Sequence, residues 1–266
     1  LSEAGFVEGQ NIAIDYRYAD NQHDRLPALA ADLIKRGVAV IVGNTISALA
    51  AKSATATVPI VFATGGDPVR DGLVAALNRP GGNVTGIVFI SGVLGAKRLQ
   101  LLHQLLARPA TIAMLVNPGM SETEAERSEV QAAAQTIGQQ LLILDVNSAS
   151  DIDAAFAALV RQGVGAVLVG SAALLTSQRK RVIELATRHA MPTIFPVREP
   201  VDEGGLMSYG ASITDAYRQA GVYAGRILKG QVPADLPVVQ STKFEFVINL
   251  KAAKALGLEI PPTLLS

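Results

Sequence analysis

The chain of 266 residues contains no cysteine and no tryptophan. Without cysteine it can form no disulfide, no thiolate nucleophile and no cysteine-ligated metal centre. Charge of neither sign is in excess, because 23 Lys and Arg face 23 Asp and Glu. That balance leaves no electrostatic footprint for nucleic acid or an anionic membrane surface. Aromatic residues make up only 5%, too few for base-stacking platforms. Long apolar runs are missing as well: Lys52 interrupts the longest candidate, so no helix is expected to span a bilayer. The opening stretch LSEAGFVEGQN has no charged-then-apolar export signal, so the chain reads either as cytoplasmic or as a mature or trimmed form.

Signatures of catalysis are also absent. The three histidines, His23, His103 and His189, form no HExxH pair, and no serine lies in a G-x-S-x-G elbow. No Walker A or G-x-G-x-x-G follows a strand; Gly163-Val164-Gly165 precedes one, the wrong side for a phosphate loop. The acidic cluster Glu199, Asp202 and Glu203 reads as a solvated hinge loop rather than an acid–base pair. Asn83-Val84-Thr85 fits a glycosylation sequon but lies at a turn leading into a strand.

What is present is 49% apolar and 17% charged residues, enough to build a sizeable core in one large or two medium domains. The chain also repeats itself. The stretch from Asn11, NIAIDYRYADNQHDRLPALAADLIKRGVAVIVGNTISAL, echoes that from Gln140, QLLILDVNSASDIDAAFAALVRQGVGAVLVGSAALL. Each offers a strand, an amphipathic helix, a glycine stop at Gly37 or Gly163 and a second strand ending in Val-Gly. VPIVFATGGDPV is answered by MPTIFPVREPV, and GGNVTGIVF by EGGLMSYGAS. Strands alternating with helices at these lengths predict parallel sheets, and two copies predict two Rossmann-like lobes.

The second copy predicts strands near 111–116, 141–146, 166–170, 193–196 and 205–209, a helix near 177–189, and a helix opened by a capping box of Ser121 with Glu124. The first copy is short by its opening strand and most of the following helix. In a lobe of strand order 2-1-3-4-5, that leaves IAIDYRYA and AVIVG flanking an empty slot, with altered pairing or self-association as the expected consequence. The helices at 93–106 and 214–229 follow the last strand of each copy. Lobe I is therefore expected over 1–88 and 211–237, and lobe II over 89–210 and 238–266, with KFEFVINL recrossing.

Ligands of open parallel sheets bind beyond the carboxyl ends of the strands. That rule selects Asn44, Thr45 and Ser47, then Gly66 and Asp67, Ser91, Asn117, Ser171, Arg198 and Tyr209 as candidates. Phe195 and Tyr209 are candidate apolar walls, or core and hinge packing. Thr45 and Ser47 stand where a helix begins, so they are either ordinary caps or acceptors of an anion. Asp67, in PIVFATGGDPV, is either a turn-stabilising acid or a binding group. An anion acceptor beside a carboxylate suits a zwitterion.

Four stretches carry a resemblance across nearly the whole chain: GFVEGQNIAIDYRYADNQHDRLPALAADLI, PIVFATGGDPV, GLVAALNRPGGNVTGI and RILKGQVPADLPVVQSTKFEFVINLKAAKALGLEIPPTLL. Together they resemble the ABC-transporter substrate-binding proteins that include tryptophan-binding and related aromatic amino-acid-binding members. The resemblance implies a periplasmic-binding-protein-like α/β fold of type I, joined by a multi-strand hinge. It also implies an extracytoplasmic receptor that closes on a small molecule and delivers it to a membrane permease, with no catalysis and no cofactor. The family's helix-start loop matches Asn44, Thr45 and Ser47; its Gly-Asp-Pro loop matches Gly66, Asp67 and Pro68; its Asn-Pro matches Asn117 and Pro118. Two other classes share the fold. A Rossmann-like transferase needs a phosphate loop or a poised base, which the sequence does not offer, and the sensing domain of a regulator needs a DNA-binding segment.

Overall fold

The two copies fold as two α/β units in the computed structural model. It describes residues 1–265 apart from Asn21, 90–93, Ala107 and Met120, and Ser121 and Glu122 without their side chains. The first unit comprises 1–90 and 212–243, the second 91–211 and 244–266.

The first unit begins with α1 (Leu26–Lys35), β1 (Ile41–Asn44), α2 (Thr45–Ala54), β2 (Ile60–Thr64) and β3 (Val84–Phe89). The second continues with α3 (Gly95–Leu105), β4 (Ile112–Val116), α4 (Ser121–Thr136), β5 (Leu141–Asp145) and α5 (Ala149–Arg161). It proceeds through β6 (Ala166–Val169), α6 (Ala173–Ser177), α7 (Arg179–Arg188), β7 (Thr193–Phe195), α8 (Glu199–Asp202) and β8 (Met207–Ala211). The chain then returns to the first unit for α9 (Ile213–Leu228) and β9 (Val239–Ser241), and closes in the second with β10 (Phe244–Ile248) and α10 (Leu250–Ala255).

The second sheet has the order β10-β8-β7-β6-β4-β5. Its first five chain-order strands are parallel in the doubly wound 2-1-3-4-5 arrangement, and β10 is added antiparallel to β8. Because helices cover both faces, β4 and β6 are apolar throughout and fully buried. One face packs Phe156, Leu159 and Val182 from α5 and α7; the other packs Leu99, Leu102 and Val130 from α3 and α4. Fully burying such side chains stabilises the unit by roughly 1.5–3 kcal/mol each. Helix α5 starts after Ser148, whose hydroxyl accepts the Asp151 N–H. The expected capping partner of Glu124, Ser121, has a side chain outside the described residues.

The first sheet, β1-β2-β3-β9, is parallel throughout. Helices α1 and α2 pack on one face through Ala30, Ala48 and Ala51, and α9 on the other through Ala216, Ala220 and Tyr223. The sheet tolerates no side chain at Gly86: a Cβ there would lie 2.3 Å from the Phe62 carbonyl oxygen.

Two expectations fail here. IAIDYRYA forms no strand; beyond a lone bridge between Glu8 and Ile12, residues 13–19 take part in no ladder. Strand character needs a neighbouring backbone to hydrogen-bond, and among the described residues β1 pairs with β2 alone. The segment is held instead by Arg17, whose guanidinium grips Asp32 of α1 at 2.6 Å. Residues 238–243, assigned by the duplication to the second lobe, stay with the first unit because Val239–Ser241 pairs with β3.

The sequon is structural. The Asn83 amide donates to the carbonyls of Val58 (2.7 Å) and Thr55 (3.2 Å), and the buried Thr85 hydroxyl donates to the Leu236 carbonyl at 2.7 Å. Among the described residues no helix is long and apolar enough to cross a membrane.

Candidate functional site

In the first unit the carboxyl ends of β1 and β2 are tied together by hydroxyl and amide groups. Asn44 ends β1 and caps α2, its Oδ1 accepting the Ser47 N–H at 3.0 Å. That accounts for one N–H of the first turn; the others have no intrahelical acceptor and point with the positive end of the helix dipole. The Thr45 hydroxyl lies 2.7 Å from that of Thr64, the last residue of β2. Thr64 Oγ1 in turn accepts the Gly66 N–H at 3.0 Å. One buried hydroxyl thus joins the start of α2 to the Gly-Asp-Pro loop. Thr64 was not among the candidates; a hydroxyl ending an otherwise apolar strand is the signal that could have found it.

Asp67 stabilises its turn. Its Oδ1 accepts the N–H groups of Val69 (2.9 Å) and Arg70 (3.2 Å), closing the turn, while the residue stays exposed. Beyond it, Pro68 is buried and its carbonyl accepts the N–H groups of Leu73 and Val74. Lys52 of α2 reaches across to the Gly72 carbonyl at 2.6 Å. The loop is therefore held in shape by its own hydrogen bonds.

In the second unit the candidates disperse into separate arrangements. The Asn117 amide donates to the Val146 carbonyl at 2.8 Å, strapping the loop after β4 to that after β5. Ser171, after β6, gives its N–H to Glu126 Oε2 (2.8 Å) and its hydroxyl to Glu126 Oε1 (3.2 Å). Glu126 on α4 pairs with Arg98 on α3, and both side chains are 0% exposed. Arg98 also donates to Ser171 Oγ and to the Tyr209 carbonyl, each at 3.3 Å. Burial pulls the Arg98 guanidinium below its ordinary pKa, against the opposing charge and hydrogen bond of Glu126. Nearby, burial raises the Glu129 carboxyl, while the N–H of Ala96 and the charge of Arg98 work against it.

Neither Arg98 nor Glu126 was a candidate, since both sit within helices rather than on strand-end loops. An arginine among Leu99, Leu101, Leu102 and Leu105 was the available sign.

Tyr209 is half-buried on β8, stacked against Phe244 at 6.5 Å and edge-on to Phe246 at 6.3 Å. Phe195 is corrected: at 1% exposure it belongs to the core with Val167 and Ile183, so it lines no site. Arg198 stands exposed at the start of α8 and pairs with Asp202 one turn on, at 3.1 Å. Ser91 lies outside the described residues. Among the described residues no group of three or more His, Asp or Glu could hold a metal ion. Chemically, the set offers hydroxyls, helix-start N–H groups and an exposed carboxylate, a vocabulary for holding a charged small molecule.

Known proteins resemble this chain over nearly its whole length. A tyrosine-binding protein of Clostridioides difficile is 26% identical over 260 residues, covering 97% of this chain and 74% of that protein. The solved structure of an ABC domain from Streptococcus pneumonia in complex with L-Trp superposes with a TM-score of 0.82 at 26% identity, covering 100% of this chain and 90% of that one. A conserved domain protein from Vibrio cholerae gives a TM-score of 0.83 at 28% identity, over 99% of this chain and 88% of that one. With the observed strand orders, these likenesses make the fold periplasmic-binding-protein-like, type I. The family described as ABC transporter substrate binding protein matches residues 1–266, so the chain belongs to that family.

Proposed function

We propose that this chain is the extracytoplasmic solute-binding component of an ABC importer, and that it delivers an aromatic or apolar amino acid to a membrane permease. It holds its ligand without chemistry or cofactor. The ligand class is supported by the two relatives described with tyrosine and with L-Trp. The observation that carries the site is the Thr45–Thr64–Gly66 linkage, which joins the start of α2 to the Asp67 loop. In this reading the Thr45 and Ser47 hydroxyls and the α2 N–H groups donate to the carboxylate, and Asp67 accepts from the ammonium in a charge-assisted hydrogen bond. Within the second unit, we assign Asn117, Ser171 and Tyr209 to ligand contact.

The test is calorimetric titration with L-tryptophan of the unsubstituted protein and of Asp67→Asn. Asparagine keeps an oxygen for the N–H groups of Val69 and Arg70 and removes only the charge. A hydrogen bond to a charged group is worth about 1.5–3 kcal/mol, so affinity should fall at least about tenfold. Unchanged affinity in Asp67→Asn would remove Asp67 from the site.

A further inference from the structure

Arg98 and Glu126 make a poor choice if the only need is to hold two helices together. Taking both charges fully out of water is costly, and an apolar pair of the same volume would pack α3 on α4 as well or better. What an apolar pair cannot do is direct hydrogen bonds. Glu126 uses both carboxylate oxygens on Ser171, one for the N–H and one for the hydroxyl. Arg98 braces that carboxylate, reaches the same hydroxyl, and with its other terminal nitrogen holds the Tyr209 carbonyl.

The chain before Ser171 is drawn in just as closely. The Gly170 N–H donates to the Leu115 carbonyl at 3.0 Å, and a Cβ at Gly170 would lie 2.7 Å from that oxygen. Two helices, the loop after β6 and strand β8 thus meet on one guanidinium–carboxylate pair.

We infer that Arg98 and Glu126 are positioning residues for ligand binding: they fix Ser171, and through the Tyr209 carbonyl the register of β8, in the arrangement the ligand meets. This rests on the proposed assignment of Ser171 and Tyr209 to the ligand. Lysine cannot replace Arg98 in this role, because a single ammonium cannot address Glu126, the Ser171 hydroxyl and the Tyr209 carbonyl with a planar fork.

Two neutral replacements of the pair separate positioning from packing. Arg98→Met with Glu126→Gln keeps an oxygen for the Ser171 N–H; Arg98→Met with Glu126→Leu removes it. In the ligand-free protein, amide exchange at Ser171 should accelerate at least tenfold more in the leucine variant than in the glutamine variant. Titrated with L-tryptophan, the leucine variant should bind at least tenfold more weakly than the glutamine variant, and Arg98→Lys at least fivefold more weakly than the unsubstituted protein. Equal exchange and equal affinity in the two double variants would overturn the inference, because packing alone does not distinguish them. Should the leucine variant not fold, Arg98→Lys decides, and unsubstituted affinity there overturns it. If the unsubstituted protein binds neither L-tryptophan nor L-tyrosine, the ligand assignment fails, while the exchange comparison still decides whether the pair positions Ser171.

Discussion

Asp215 sits in the first turn of α9, where the Ser212 hydroxyl accepts its N–H and its carboxylate faces Gln219 and Arg218. The Gln219 amide at 2.6 Å, then Arg218, hold its pKa below the ordinary carboxylate value against the opposing effect of burial. A lowered native pKa means that the unfolded chain binds more protons in the acid range, so stability rises with pH there. The contribution of Asp215 is present above the unfolded carboxylate value of about 3.9 and is lost as pH falls through the lower native value. Asp215→Asn should therefore unfold more easily at pH 7, by about 0.5–1 kcal/mol, and should converge with the unsubstituted protein in strong acid. Urea midpoints measured from pH 7 downward check this; a difference that grows on acidification contradicts it.

The residue scale is also where sequence reading succeeds and fails most unevenly. The Asp67 turn was legible because glycines and a proline mark its loop. Arg98 was not, because its partners Glu126, Ser171 and Tyr209 lie 28, 73 and 111 residues away. Phe195 stayed open between apolar wall and core because an aromatic at a strand end looks the same in either setting, and it takes the core.

At the scale of elements, α2 shows how a few side chains fix a structure that others use. Its apolar face is mostly alanine, with Ala48 and Ala51 buried, so burial contributes less than in the leucine-rich α3 and the cap matters more. Asn44→Ala leaves the Ser47 N–H without its acceptor and should destabilise the first unit by about 1 kcal/mol, with L-tryptophan affinity falling as the helix start frays. Thermal unfolding and calorimetry of that variant check both effects. Most helices and strands of the second unit were legible to within two residues because periodicity is local, but α6 was not read, and Glu199–Asp202, read as a hinge loop, is the short helix α8. Residues 13–19 were misread for the complementary reason: alternating IAIDYRYA has the local pattern of a strand, but a ladder depends on a neighbour, which local pattern does not report. β9 fell to the wrong unit because a three-residue strand carries too little pattern to show which sheet it joins.

At the scale of the molecule, the duplication predicted two parallel-sheet units from sequence alone, and the 2-1-3-4-5 order of the second sheet is the order that reading expects. What the duplication could not provide is the ligand, since a shared fold constrains where loops gather and not what they hold. The central claim is that those loops hold an aromatic or apolar amino acid. Binding to the native state alone stabilises it, by about 2.7 kcal/mol at a hundred times the dissociation constant. The most direct measurement is thermal unfolding of protein that has been denatured, dialysed and refolded to strip any ligand, against the twenty amino acids and a set of simple sugars. Tm should rise with L-tryptophan, L-tyrosine, L-phenylalanine or another apolar amino acid, and should not rise with sugars. A rise with a sugar, or with no apolar amino acid, would contradict the claim.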